Sequence, residues 1–364
     1  MEPGPRIQLP SLVTDEKRGQ HDDGLETPVQ SIRLSREEKF NHSKLSVTTD
    51  GQHEANEADL RRLGRARPAE FTSTWMEVGF VTSIAVSMIF DEYLMSGFLA
   101  LVPKLMDDLE LTNQDTTWPS SVPSLVVSAL LLTFGRLADM YGGFPVYMAG
   151  LTWALIWSII AGFAVNVPML IVCRAMQGLG AAAHLPAGLM MLGRLYYPGP
   201  RKNLVFSIYG AMAPFGFFIG ILAAGLVSRY IRWEWYFWIA AMIAFVAIAG
   251  AYFTTPPLQR TGCKDLDLKM DWYGAVSLAA GLILIVFAIT EAPDAPQGWR
   301  TAYVPLTLIL GVLCLAITWF VEARVAAQPL LPASVFRVKH IRPLLIGCLF
   351  SYGTVGLYVC YASL

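Results

Sequence analysis

Charge is what this sequence has least of. Of its 364 residues only 15% are Asp, Glu, Lys or Arg, against 54% hydrophobic, where a soluble chain carries about a quarter charged. The shortage is local. Residues 1–70 hold much of the charge, and from Trp75 onward long apolar runs alternate with short polar joints. A single water-soluble globule is excluded, and an all-α polytopic membrane protein behind a soluble N-terminal tail is expected.

Other absences narrow the class further. The five cysteines (Cys173, Cys263, Cys314, Cys348 and Cys360) form no CxxC pair and four lie in apolar runs, so neither a disulfide framework nor a zinc site is supported. Residues 1–70 hold no apolar core of leader length, so targeting is expected to fall to the first membrane helix. GxSxG, HExxH and GxxxxGK[ST] are missing, which leaves hydrolytic enzymology and ATP-driven transport without support. Gly178, Gly180 and Ala183 fit GxGxxA, but that fingerprint needs a preceding strand, and here it lies inside an apolar run. No enzyme activity, cofactor, metal or nucleic acid is expected.

What is present is span-length hydrophobicity. A membrane helix needs about 20 apolar residues. Nine runs meet this: 77–102, 120–138, 146–165, 168–192, 204–228, 235–254, 272–290, 303–321 and 343–364. Trp75, Trp118, Trp233, Trp235 and Trp272 sit near their edges, as an interfacial aromatic belt requires. With the N-terminus inside, the inner segments hold fifteen Lys and Arg and the outer joints four, so a cytoplasmic N-terminus is expected. The Asn41-His42-Ser43 sequon would then stay unmodified. The tail is too polar to fold alone; Ser35 to Glu38 could cap a short helix, though a solvated charge run explains it as well.

Charged residues at bilayer depth are functional candidates. Asp91 and Glu92 in the first run and Arg174 in the fourth are expected at matching depth, where a guanidinium pairs with a carboxylate. Two readings stay open: a static pair holding two helices, or a titratable pair that exchanges a proton. Which carboxylate pairs is also open, since neighbours on a helix point about 100° apart. His184, ten residues after Arg174, either lines the same cavity or bonds a neighbour.

Several motifs, in order and spacing, carry a resemblance. "GRLADMYGG" (Gly135 to Gly143) resembles the loop signature of the major facilitator superfamily, and "RAMQGLGAAA" (Arg174 to Ala183) its helix-4 motif. "GAMAPFGFFIG" (Gly210 to Gly220) resembles the helix-5 motif of exporters, and "WEWYFW" opens the sixth run. Together they are similar to the fungal fourteen-helix drug:proton antiporter branch.

The resemblance implies a gating role for Gly135, Arg136, Asp139 and Gly142, with Asp139 latching two halves of the fold. It implies that Arg174, with Gln177, Gly178 and Gly180, takes part in proton movement alongside an acidic residue of helix 1. Gly210, Pro214, Gly216 and Gly220 would shape helix 5, where Gly216 and Gly220 form a small-xxx-small face. The chain departs from the pattern at Gly143-Phe144, where basic residues are common, and at Ala213, where the family has glycine.

The implied organisation is a tail (1–72), a six-helix half (73–255), a cytoplasmic linker (256–271), two inserted helices (272–322), and a linker with the first helix of a C-terminal half cut short (323–364). The implied function is export of drugs or secondary metabolites driven by protons, from the plasma membrane or a vacuolar or vesicle membrane. Uptake of another solute, such as a siderophore or amino acid, stands as the alternative. So does a truncated membrane protein with an interaction role, its protein partner open.

Overall fold

The computed structural model describes residues 62, 64–109, 113–256, 270–324 and 340–362. The Ser35 capping sequence, the Asn41 sequon, Cys263, the basic residues of the 260–269 joint, Arg337 and Lys339 lie outside the described residues, as does the side chain of Cys360.

Where the apolar runs stand, the chain is helical. Apolar surroundings offer no partner for a free N–H or C=O, so each segment closes its own hydrogen bonds. Nine long α-helices result among the described residues: α1 (Thr74–Leu109), α2 (Asn113–Tyr141), α3 (Gly143–Ala161), α4 (Val167–Leu195), α5 (Pro200–Tyr230), α6 (Glu234–Thr254), α7 (Trp272–Glu291), α8 (Tyr303–Arg324) and α9 (Ile341–Ala362). Seven of them are long and apolar enough to cross a membrane. In α4, Arg174, Gln177 and His184 lower the hydropathy, so the helix that carries the candidate chemistry is also one of the two outside that set.

The joints are set by local chemistry. Gly142 separates α2 from α3 with φ 96°, a left-handed conformation that a side chain resists. Asn166 caps α4, its side chain accepting from Met169 N at 2.9 Å, with Pro168 pre-set for the first turn. Asp271 does the same for α7 through Gly274 N at 3.0 Å. Replacing Gly142 with alanine is expected to cost about 1–2 kcal/mol from the left-handed backbone alone. A lower melting midpoint in detergent checks this, against Gly135→Ala as control. A methyl at Gly135 meets only Pro186 Cβ at an ordinary 3.6 Å, so that variant should not lose stability.

Packing among the first six helices follows a pattern of exchange. α1 lies against α5 and α6, α4 lies against α2 and α3, and α3 meets α6. Swapping α1–α2–α3 for α4–α5–α6 returns the same set of neighbours, which is the arrangement of two three-helix repeats. α7 and α8 form a separate pair that touches the rest through α2, where Trp118 Nε1 donates to Glu291 at 3.0 Å. Along α9, residues 342–354 are exposed.

Close approach depends on small residues and buried polar glue. A methyl at Gly220 would lie 2.7 Å from the Tyr93 carbonyl, and one at Gly216 2.8 Å from Ile89 Cα, so α5 rests on α1 backbone to backbone. Gly210 has open space around it and plays no such part. Ser96 Oγ donates to Phe217 O at 2.9 Å and Ser83 Oγ to Ala247 O at 2.6 Å, tying α1 to α5 and α6. The rings of Tyr93 and Tyr236 stack at 4.7 Å, and each hydroxyl donates to the other residue's carbonyl. Outward, Phe245, Val246, Tyr252 and Phe253 are each more than half exposed, a surface suited to hydrocarbon rather than water.

The tail boundary expected at residue 72 needs correction. Phe71 is buried and packs on Phe80 at 5.5 Å, and the Gly64 carbonyl accepts from Arg201 N at 3.3 Å. These residues belong with the helical unit, because an aromatic ring and a basic joint give this stretch something to bury.

Candidate functional site

Arg174 is almost fully buried in α4, and its surroundings come from three helices. Nε donates to the Pro119 carbonyl of α2 at 3.2 Å, and Nη1 donates to Gln177 Oε1 at 3.1 Å. The guanidinium lies 4.3 Å over the Phe98 ring of α1, a cation–π contact. Gln177 in turn donates to Ser158 Oγ of α3 at 3.2 Å. The Pro119 contact has a cause in the sequence. Pro123 has no N–H, so the carbonyl four residues before it is left without its helical donor, and Arg174 supplies one.

No ion pair among the described residues involves Arg174. The expectation that it pairs with Asp91 or Glu92 is therefore corrected. α1 and α4 run antiparallel with Ile84 against Gly188, Asp91 against His184 and Phe98 against Arg174. Asp91 sits seven residues from the level of Arg174, about 10 Å along the helix. The three charged groups still share a cavity of about 120 Å3 between α1, α2 and α4, which Gln177 and Gly178 also line.

Asp91 meets His184 instead. His184 Nε2 lies 3.2 Å from Asp91 Oδ1, with the histidine fully buried and the carboxylate 12% exposed. The approach is off the line of a good hydrogen bond, and Asp91 Oδ2 and His184 Nδ1 have no hydrogen-bond partner. The imidazole is held by its neighbours' rings, Tyr147 edge-on at 6.1 Å and Phe90 tilted at 6.3 Å.

The helix-4 glycines let α4 wedge between two helices. A methyl at Gly178 would stand 2.7 Å from the Pro123 carbonyl of α2, and one at Gly180 2.7 Å from the Gly150 carbonyl of α3. At the far end of α4, Arg194 Nη2 lies 3.4 Å from Asp139 Oδ1 of α2, both partly exposed. Arg136 is half-buried on the same turn of α2, and Pro214 lies inside an uninterrupted α5.

One cluster went unread in the sequence. Glu77, buried in the first turn of α1, accepts from the Tyr196 hydroxyl at 3.0 Å and from Arg201 Nε at 2.8 Å. Burial and the neighbouring Glu77 carboxylate hold the Tyr196 phenol above its usual range, so it stays a donor. Glu77 and Arg201 line a larger cavity of about 510 Å3 between α1 and α5. An acidic residue opening a membrane helix and an arginine opening another were the available signal.

The comparisons with known proteins agree with this architecture. A solved peptide transporter bound to sulfate matches with TM-score 0.51 at 22% identity, over 68% of this chain and 52% of its own. Two relatives align over most of the chain. The aminotriazole resistance protein of Saccharomyces cerevisiae is 31% identical over 96% of this chain and 64% of its own length. Efflux pump terJ of Aspergillus terreus is 31% identical over 87% of this chain and 60% of its own. The chain thus spans less than two thirds of the length of these relatives. The Major Facilitator Superfamily profile matches residues 81–364, about four-fifths of the sequence, from within α1 through α9: the chain belongs to the major facilitator superfamily.

Proposed function

We propose that the protein is a secondary active exporter of small organic molecules, drugs or secondary metabolites, driven by inward proton flow. The observation that carries this is the cavity shared by Asp91, Glu92 and Arg174 in a chain of this superfamily. Partly buried carboxylates that line a cavity take up and release protons as access alternates. The names of the two fungal relatives, a resistance protein and an efflux pump, support outward transport.

In this reading the N-terminus is cytoplasmic and the plasma membrane is the site of action. α1 to α6 form the first half of the transporter, α7 and α8 an inserted pair, and α9 opens the second half. Asp139 and Arg194 form an inner latch, and Glu77 with Arg201 ties α1 to α5 on that side. Arg174 shapes the cavity: its cation is stabilised by a carbonyl, an amide and a ring face, and pairs with neither carboxylate.

Efflux of an apolar fluorescent cargo from cells expressing the protein tests the proposal. Efflux should stop when a protonophore collapses the gradient, and Asp91→Asn should reduce it at least about tenfold, the scale of a lost proton-transfer group, at unchanged membrane abundance. Efflux that survives both treatments would contradict the proton-driven reading.

A further inference from the structure

We infer that His184 and Asp91 act together as a two-membered proton carrier, in which His184 receives the proton that Asp91 takes from the cavity. The inference rests on the proton-coupled reading above and adds a residue and a route to it.

The geometry sets the order of the groups. Asp91 is the member that touches the cavity, and His184 lies behind it with no exposed surface. A fully buried imidazole with an unpartnered Nδ1 is costly, and packing alone would favour an apolar residue there. Its placement 3.2 Å from a carboxylate oxygen gives it a use. With Asp91 protonated and His184 neutral, the Asp91 O–H bond breaks and an N–H bond forms at Nε2. The products are a carboxylate and an imidazolium, and no charge is created overall. The proton leaves by the reverse step, Nε2 returning it to Asp91, which releases it to the cavity once access has alternated; the ring is then again the neutral Nδ1–H form with Nε2 facing the carboxylate.

The surrounding groups permit this. On α1 the charged neighbours are Asp91 and Glu92; both line the cavity. On α3 the Tyr147 ring stands edge-on to the imidazole, its hydroxyl donating to Ser83 O at 3.3 Å, one step nearer the first turn of α1. On α5 the titratable group on this side is Tyr209. On α2 the ionisable groups toward the end of the helix are Arg136 and Asp139, the latter paired with Arg194. On α4 itself Arg174 lies ten residues back over Phe98. No cation thus stands between the imidazole and Asp91, so charge on the ring is balanced by that carboxylate.

The test reads the ring directly. The sequence holds five histidines, and alanine at His21, His42, His53 and His340 leaves His184 as the sole imidazole, with none of the cavity-lining residues changed. With 15N-labelled histidine in lipid nanodiscs, the His184 signals should pass between neutral and imidazolium forms within a pH series. Asp91→Asn should displace that midpoint by about tenfold in proton concentration, one pH unit. A ring that stays in one form throughout, or a midpoint unmoved by Asp91→Asn, would overturn the inference. The two readings fail separately. Gradient-driven efflux with a silent His184 removes the carrier and keeps the transporter. A titrating, Asp91-linked His184 without gradient-driven efflux removes proton-driven export and keeps the carrier pair.

Discussion

Replacing Arg174 with leucine is expected to destabilise the protein and stop gradient-driven efflux, and the loss of stability should shrink when Pro123 is replaced as well. The Pro119 carbonyl is buried and receives its donor from Arg174 Nε, because Pro123 has no N–H to offer. Leucine at 174 strands that carbonyl at a cost of about 1–3 kcal/mol, and strands the Gln177 amide oxygen too. In Pro123→Ala the new N–H of residue 123 reaches the carbonyl from within α2. The penalty for Arg174→Leu should then fall by about 1–2 kcal/mol, a coupling typical of residues sharing a partner. Melting midpoints of the four proteins in detergent give the cycle. Equal penalties in both backgrounds would show that Arg174 does not repair α2. Lysine at 174 should not restore stability, since a single ammonium cannot serve the carbonyl, Gln177 and the Phe98 face together.

The second large effect concerns the wedge of α4. Gly178→Val should disrupt the contact of α4 with α2, since even its first methyl would lie 2.7 Å from the Pro123 carbonyl and 2.9 Å from its Cα. Both are backbone atoms of a proline-containing helix and have no rotamer to escape into. Overpacking of this kind costs about 1–3 kcal/mol, and the shift would also move Gln177 and Arg174 off their partners. Gly225, which has nothing within reach of a new methyl, is the internal contrast. Alanine there should be neutral or stabilise by up to about 1 kcal/mol through helix propensity. Yield and monodispersity in detergent compare the two; a Gly178→Val protein as stable as Gly225→Ala would show that α4 has room to move.

The helices were legible in the sequence because hydrophobicity of span length needs no partner to be recognised. Phe71 was not, since its burial depends on the chain folding back so that its ring meets Phe80 while the stretch before it meets Arg201, far away in sequence. At the site, the residues singled out by type do come together: the cavity holds Asp91, Glu92, Arg174, Gln177 and Gly178. The pairing was misjudged for a geometric reason. The apolar run ends at 102, but α1 extends to Leu109, and the antiparallel register puts Phe98, not Asp91, beneath Arg174. Pro119 and Pro123 held a readable clue, because a proline four residues on always frees a carbonyl. The wedge of Gly178 and Gly180 was visible as a run of small residues, but not which helix each would touch.

The central claim, that inward proton flow drives cargo outward through the cavity of Asp91, Glu92 and Arg174, is tested most directly in proteoliposomes with a pH-sensitive dye enclosed. Adding an apolar cargo on the face it is exported from should move protons against it, seen as a pH change that requires protein and cargo together and disappears in Asp91→Asn. Cargo movement with no accompanying proton movement would contradict the account.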